Sequence, residues 1–260
     1  MNFDHIITLL VLIPTLYISS IVYQKWSSSF YVKENLGKED LMIQKLDKEK
    51  SKIIFAGGCF WCTEAEFNHY KGVTEAISGY TGGSKDNPTY KEVSSGNTGH
   101  REAVLIYYDP NLVTLDELLN KYWSHIDPTD VDGSFADRGS QYTSAIYYFD
   151  ESQKSIIEKS KSNLEKSGKF DKKIATEILP AVKFYPAEEY HQNYKDKNPV
   201  RYNYYREGSG RNEFIRLHWQ DGTTTTNLSS ASKYNRPTDD EIKSMLTAEQ
   251  YNVTQKEGTE

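Results

Sequence analysis

Ile53-Ile54-Phe55-Ala56-Gly57-Gly58-Cys59-Phe60-Trp61-Cys62-Thr63-Glu64 is the stretch whose reading decides the fold. Its apolar run predicts a short buried strand, the glycine pair a turn, and the residues from Cys59 onward the opening of a helix. Cys59 and Cys62 are the only cysteines in the chain of 260 residues, and both fall on that opening. A thiol at a helix N-terminus faces backbone N–H groups and the positive end of the helix dipole, which favour thiolate over thiol. The plainer alternative is two buried structural cysteines, a common core residue. Cys59 follows Gly57-Gly58 directly and lies at the first turn, so it is the better nucleophile. Cys62 shares its helix face and is placed to capture a sulfenic acid on Cys59 as a disulfide.

Composition narrows the chemistry. Net charge is -6 and no basic run with interleaved aromatics appears, which argues against a nucleic-acid surface. Two cysteines rule out a multi-disulfide scaffold, and without a second cysteine or histidine pair they fall short of a zinc site. Redox work or burial remains. The 20 tyrosines include Tyr80, Tyr90 and Tyr142 in polar, glycine-bearing surroundings, where a ring with a hydroxyl suits an apolar pocket that must hydrogen-bond one oxygen.

Along the chain, residues 1–25 carry an apolar run, Ile6 to Tyr23, of about the shortest length that spans a bilayer. No small-residue cleavage site follows, so the expectation is a membrane anchor rather than a removed signal. Lys25, Lys33 and Lys38 are mixed with Glu34, Glu39 and Asp40 and leave its orientation open. Residues 26–51 read as a polar linker. Within 52–219, Val73 to Tyr80 and Ala103 to Tyr108 predict strands. Leu115, Leu118, Leu119, Tyr122, Trp123 and Ile126 predict a helix capped by Thr114. The acidic loop from Asp127 to Ser140 lacks calcium-loop spacing. Gln141 to Phe149 predicts a strand, Glu151 to Lys166 an exposed helix, Ala187 to Tyr194 a short helical stretch, and Tyr202 to Trp219 a closing segment. Residues 220–233 form a Thr/Ser-rich linker, and residues 234–260 are too few to bury a core of their own.

A thiolate at Cys59 leaves two enzyme classes open: a membrane-tethered C-x-x-C thiol-disulfide oxidoreductase, or a thiol reductase acting on a small oxidised centre. A non-catalytic binding module is a third class, disfavoured by the presence of Cys59 and Glu102. Polar loops bearing Tyr90, Glu102, Asp137 and Tyr142 favour a built pocket with a proton donor. His100 reads as a loop-stabilising residue, His191 as either packing or substrate edge, and Glu64 as structural.

Six motifs carry a resemblance. Gly58-Cys59-Phe60-Trp61 with Glu64, Gly79-Tyr80-Thr81-Gly82-Gly83, Asn87-Pro88-Thr89-Tyr90, Gly99-His100-Arg101-Glu102-Ala103-Val104, Asp137-Arg138-Gly139-Ser140-Gln141-Tyr142, and Glu189-Tyr190-His191-Gln192 with Lys197-Asn198-Pro199 together resemble the peptide methionine sulfoxide reductase A (MsrA) family. The likeness runs from Lys52 to Trp219. The tail from Tyr234 to Glu260 resembles the beginning of a methionine sulfoxide reductase B (MsrB) domain, as in MsrA–MsrB fusions. The resemblance implies an α+β fold, a two-layer sandwich with a mixed, ferredoxin-like sheet, here preceded by an N-terminal hydrophobic helix. It implies reduction of the S epimer of methionine sulfoxide, free or in proteins, as a repair of oxidised chains. Cys59 would attack the sulfoxide sulfur, and Glu102 would protonate its oxygen with help from Tyr90 and Tyr142. Phe60 and Trp61 would hold the methyl group, and Asp137 would contact the backbone or amino group. No bound cofactor or metal is implied. Many members have glycine where this chain has Cys62 and resolve the sulfenic acid from a C-terminal tail. Here Cys62 is expected to take that part, with thioredoxin or an equivalent thiol as reductant.

Overall fold

The computed structural model describes residues 45–46 and 50–219. The body is one compact unit beginning at Ser51. The Ile6–Tyr23 run, the 220–233 linker and the 234–260 tail lie outside the described residues. Among those described, no helix is long and apolar enough to cross a membrane.

The opening stretch folds as read. Strand β1 (Ser51–Ala56) turns through Gly57 and Gly58 into helix α1 (Phe60–Phe67), and Cys59 is the residue at the helix cap. Then come β2 (Val73–Thr81), the short helix α2 (Tyr90–Ser94), β3 (Arg101–Tyr108) and helix α3 (Leu115–Trp123). A two-residue hairpin, β4 (Gly133–Ser134) and β5 (Asp137–Arg138), precedes a 3₁₀ turn at Ser140–Tyr142 and strand β6 (Ala145–Tyr148). Helix α4 (Glu151–Lys166) leads to β7 (Glu177–Pro180) and β8 (Phe184–Pro186). A 3₁₀ turn at Glu189–His191 and three helices, α5 (Tyr194–Lys197), α6 (Pro199–Gly208) and α7 (Arg211–Trp219), complete the body.

The main sheet has six strands in the order β7-β6-β1-β3-β2-β8. Every pairing is antiparallel except β6 with β7, so the sheet is mixed. Its four central strands, with α1 and α3 between them in the chain, make the β-α-β-β-α-β arrangement of ferredoxin-like folds. The architecture is α+β, as expected. Ile53, Ile54, Phe55 and Ala56 are fully buried, which is why this strand reads as a continuous apolar run rather than an alternating one. Ile53 faces Ile106 and Phe55 faces Val104, and these side chains pack with Phe60 and Phe67 of α1 and with Leu118, Leu119 and Tyr122 of α3.

Three expectations need amendment. The strand expected from Gln141 to Phe149 is only Ala145–Tyr148, because Ser140–Tyr142 coils into a 3₁₀ turn. The helical stretch expected from Ala187 to Tyr194 is a three-residue 3₁₀ turn followed, after Asn193 at positive φ, by α5. The acidic loop holds the β4–β5 hairpin, with two of its carboxylates turned to local work: Asp127 caps Thr129 and Asp130 pairs with Arg138.

Helix α3 begins with a reciprocal cap. The Glu117 N–H donates to Thr114 Oγ1 at 3.2 Å, and the Thr114 N–H donates to the Glu117 carboxylate at 2.8 Å. Thr114→Ala removes half of that exchange and is expected to cost about 1 kcal/mol in urea unfolding, with the sheet intact by circular dichroism.

Candidate active site

Alternation along β3 puts Glu102 on the same face as Val104 and Ile106, at the end where β1 turns into α1. Glu102 is 2% exposed, and its Oε2 accepts the Phe60 N–H, the first of α1, at 3.0 Å. Burial, followed by the nearby Asp137 and Cys62, pushes this carboxyl well above the usual range, and the Phe60 hydrogen bond only partly opposes it. A carboxylic acid held neutral in this way is a proton donor.

The two cysteines are free and in contact. Burial, then the hydrogen bond and charge of Cys62, then Glu102 and Asp137, hold the Cys59 thiol well above its ordinary value. Cys62 accepts the hydrogen bond from Cys59 and is drawn down to about 7 by it, against its own burial and with help from the guanidinium groups of Arg211 and Arg206. The expected lowering of the Cys59 thiol by the helix start is therefore not found in the resting site. The Phe60 N–H goes to Glu102 and the Cys59 N–H to Asp137, so the donors at the helix start face carboxyl groups rather than the thiol.

Asp137, on β5, is held by the Tyr205 hydroxyl as well as by Cys59 N–H, and burial raises it. Its expected contact with a substrate's backbone thus competes with two partners inside the protein. Tyr142 is pushed up by burial and by the charges of Glu102, Asp137 and Cys59, which puts its hydroxyl among the reacting groups. The Tyr90 ring lies 4.4 Å from His191 and 6.4 Å from Phe60. Its backbone is fixed by a 2.9 Å bond to Glu188, whose other carboxylate oxygen accepts the Tyr80 hydroxyl.

Phe60 is fully buried, and Trp61 stands half-buried at the edge of an aromatic wall. The Trp61 indole N–H donates to His191 Nδ1 at 3.0 Å, and its ring stacks on Tyr194 at 3.7 Å and 5°. Glu64 backs this wall by accepting the N–H groups of Asn193 and Tyr194. His100 clamps the 83–85 loop: it accepts Gly83 N–H at 3.1 Å and bonds the Lys85 carbonyl at 2.8 Å. Among the described residues, no group of three or more metal-ligating side chains comes together.

The sequence reading brought Cys59, Cys62, Phe60, Trp61, Tyr90, Glu102, Asp137 and Tyr142 to one place, and they converge. It missed Tyr205, Arg206 and Arg211. These arrive from α6 and α7, where the aromatic and charged residues show no clean apolar stripe. Arg211 is 1% exposed and reaches the Gly57 carbonyl at 3.1 Å. The only available signal was its place after the Gly208-Ser209-Gly210 turn.

The profile of the family described as Peptide methionine sulfoxide reductase matches residues 51–223. The chain belongs to the peptide methionine sulfoxide reductase family. It is an oxidoreductase of the MsrA kind. Its relatives include the peptide methionine sulfoxide reductase MsrA of Halalkalibacterium halodurans, 52% identical over 174 residues, which cover 67% of this chain and 99% of that one. The MsrA/MsrB protein of Vibrio cholerae is 45% identical over 221 residues, covering 80% of this chain. This chain spans 58% of that relative's length. Among solved structures, Mxr1 from Saccharomyces cerevisiae in reduced form superposes with a TM-score of 0.55 at 35% identity, covering 58% of this chain and 87% of that one.

Glu64 yields a prediction for pH. Burial raises its carboxyl to about 7 despite the hydrogen bonds from Asn193 and Tyr194. The folded reductase therefore binds this proton more tightly than the unfolded chain, whose glutamates titrate near 4.3. That contribution is complete below the unfolded value and is lost as pH rises through about 7. Glu64→Gln is expected to flatten the fall in stability across this window by on the order of 2 kcal/mol relative to wild type, measured by denaturant unfolding at several pH values.

Proposed function

We propose that this reductase acts on the S epimer of methionine sulfoxide, free or in proteins, and that Cys59 is its nucleophile. The observation that carries this reading is a buried carboxyl group, Glu102, whose proton affinity burial raises, bonded to the first turn of the helix that Cys59 caps. A sulfoxide sulfur is a poor electrophile until its oxygen takes a proton, so a thiol beside such an acid is the pairing the reaction needs. Cys59 passes its proton along the hydrogen bond to Cys62 and attacks the sulfur, while Glu102 protonates the oxygen. The hydroxyls of Tyr90 and Tyr142 steady that oxygen. The protonated oxygen passes from the substrate sulfur to the Cys59 sulfur, the methionine S–O bond breaks, methionine leaves reduced and Cys59 is left oxidised as a sulfenic acid.

Phe60 and Trp61 supply the apolar wall for the substrate's methyl group, and Asp137 binds the substrate's main chain by exchanging one of its internal partners. Cys62 then closes a disulfide with Cys59, which thioredoxin or an equivalent thiol reduces. No bound cofactor takes part. A membrane-tethered dithiol oxidoreductase uses the same cysteine pair but has no use for a neutral Glu102. We further propose that the Ile6–Tyr23 run anchors or exports the protein. The 234–260 tail is proposed to begin an MsrB-like domain, a reading supported by the longer alignment with the Vibrio cholerae MsrA/MsrB, 80% of this chain against 67% for the Halalkalibacterium halodurans MsrA.

The test is a stereospecific assay on the two epimers with dithiothreitol. Turnover of the S epimer alone is expected, and turnover of the R epimer alone, or of neither, overturns the reading. Glu102→Gln should lower kcat by roughly 10²–10³-fold, and Cys59→Ser should abolish turnover. Cys62→Ser should slow the methionine burst without abolishing it, keep dithiothreitol-driven turnover and lose turnover with thioredoxin.

A further inference from the structure

Three of the rings around Phe60 are fastened to one residue outside the reacting set, Glu188. Its Oε1 accepts the Tyr90 N–H at 2.9 Å, and its Oε2 accepts the Tyr80 hydroxyl at 2.8 Å. Its carbonyl accepts the His191 N–H at 2.8 Å. The rings of Tyr90, Tyr80 and His191 lie 6.4, 5.8 and 5.0 Å from that of Phe60, and Tyr90 lies 4.4 Å from His191. A carboxylate with each oxygen on a different donor is a two-pronged clamp, and bonds to an ionised acceptor are roughly twice as strong as neutral ones. Burial works to raise this carboxyl, but the N–H groups of Tyr90 and Glu188 and the Tyr80 hydroxyl overcome it and keep the group below its ordinary value.

The sheet decides where Glu188 stands. Strand β8 pairs with β2 through Gly79 and Pro186, and the Ala187 N–H carries the pairing on to the Ser78 carbonyl at 2.9 Å. Glu188 is the next residue, where the chain leaves the strand and enters the 3₁₀ turn. Tyr90 reaches it from a separate loop that passes through Asn87 at positive φ and Pro88. Thr89 and Glu92 cap that loop reciprocally, which fixes its local shape. The Tyr90–Glu188 bond spans 98 residues and ties the loop to the edge of the sheet.

We propose that Glu188 is a positioning residue: by clamping the Tyr90 main chain and the Tyr80 hydroxyl, it sets the Tyr90 hydroxyl where it can bind the sulfoxide oxygen. The proposal rests on the reading of Tyr90 as one of the hydroxyls that steady that oxygen. Glu188 supplies no proton to the reaction, since both its oxygens serve as acceptors inside the protein. An O–H donor works over about 2.5–3.0 Å, so a small shift of the loop costs most of its contribution. The effect falls on the first step, methionine release, and not on closure of the disulfide.

The experiment is a double-mutant cycle in the full-length protein. It reads the rate of methionine release in a single turnover of the S epimer without reductant. Glu188→Ala is expected to slow release by about tenfold in the wild-type background, and by less than about twofold in Tyr90→Phe, where the positioned hydroxyl is already gone. Glu188→Gln keeps an acceptor for the Tyr90 N–H and should recover most of the loss. A purely structural role would cost the same whether or not the hydroxyl is present. Equal losses in the two backgrounds, no loss in the wild type, or a Glu188→Gln as slow as Glu188→Ala overturn the proposal. Should Glu188→Ala fail to fold, the same cycle with Glu188→Asp, which keeps the charge but shortens the reach by a methylene, decides the matter. Slower release in the wild-type background alone supports the proposal, and slowing in both or in neither overturns it. A Tyr90→Phe that releases methionine at the wild-type rate overturns the reading of Tyr90 and this proposal together, leaving the reductase reading intact. A wild-type protein that releases no methionine overturns all three.

Discussion

A single hydrogen bond, from the first N–H of α1 to the buried Glu102 on β3, holds the site together. It ties the helix that Cys59 caps to the middle of the sheet, and it fixes the proton donor at the same corner. The bond is also what makes a buried carboxyl tolerable, because the group has one protein partner without having to be ionised. Its register is inherited. Once Ile53 faces Ile106 and Phe55 faces Val104, Glu102 must face the point where β1 gives way to the glycine turn. The reactive corner is a by-product of strand pairing.

Around that corner the charges are sorted. Burial, Cys62, Glu102 and Asp137 raise Cys59, Arg211 and Arg206 help draw Cys62 down against its burial and Asp137, and one hydrogen bond joins the two sulfurs. Such a pair behaves as one titrating unit whose proton has a preferred seat on Cys59. The arrangement separates two tasks that need different conditions. In the proposed reaction the attacking sulfur needs a base within reach, and the resolving sulfur needs to be ionised when its turn comes.

Much of this was legible in the chain. The β1–α1 unit, the strand ending in Tyr108 and the Thr114-capped helix follow from apolar runs and capping residues, which are local signals. Cys59, Cys62 and Glu102 stood out because a dithiol and an acid are rare chemistry in motifs of glycine and aromatics. Strands β7 and β8 went unread, since Glu177–Pro180 and Phe184–Pro186 are short, proline-bearing and half-buried. Arg211 was invisible for a deeper reason. Its value comes from being buried 154 residues along the chain from the glycine it touches, and nothing in Arg211-Asn212-Glu213 distinguishes a buried arginine from a solvated one. The protonation order of the two thiols was equally hidden, because it depends on their burial, on the hydrogen bond between them and on charges from distant parts of the chain.

The wall beside the thiols has a consequence for how the protein comes into being. Trp61 bonds His191, 130 residues later, and stacks on Tyr194. Glu64 reaches the same late segment. During synthesis the cysteines emerge with the first strand and helix, long before the side chains that will enclose them have been made. Until the last third of the body arrives, the dithiol has neither its aromatic wall nor the cations of α6 and α7. A nascent chain therefore carries an unshielded pair of ordinary thiols, and their enclosure waits on the arrival of the C-terminal helices rather than on the appearance of the cysteines.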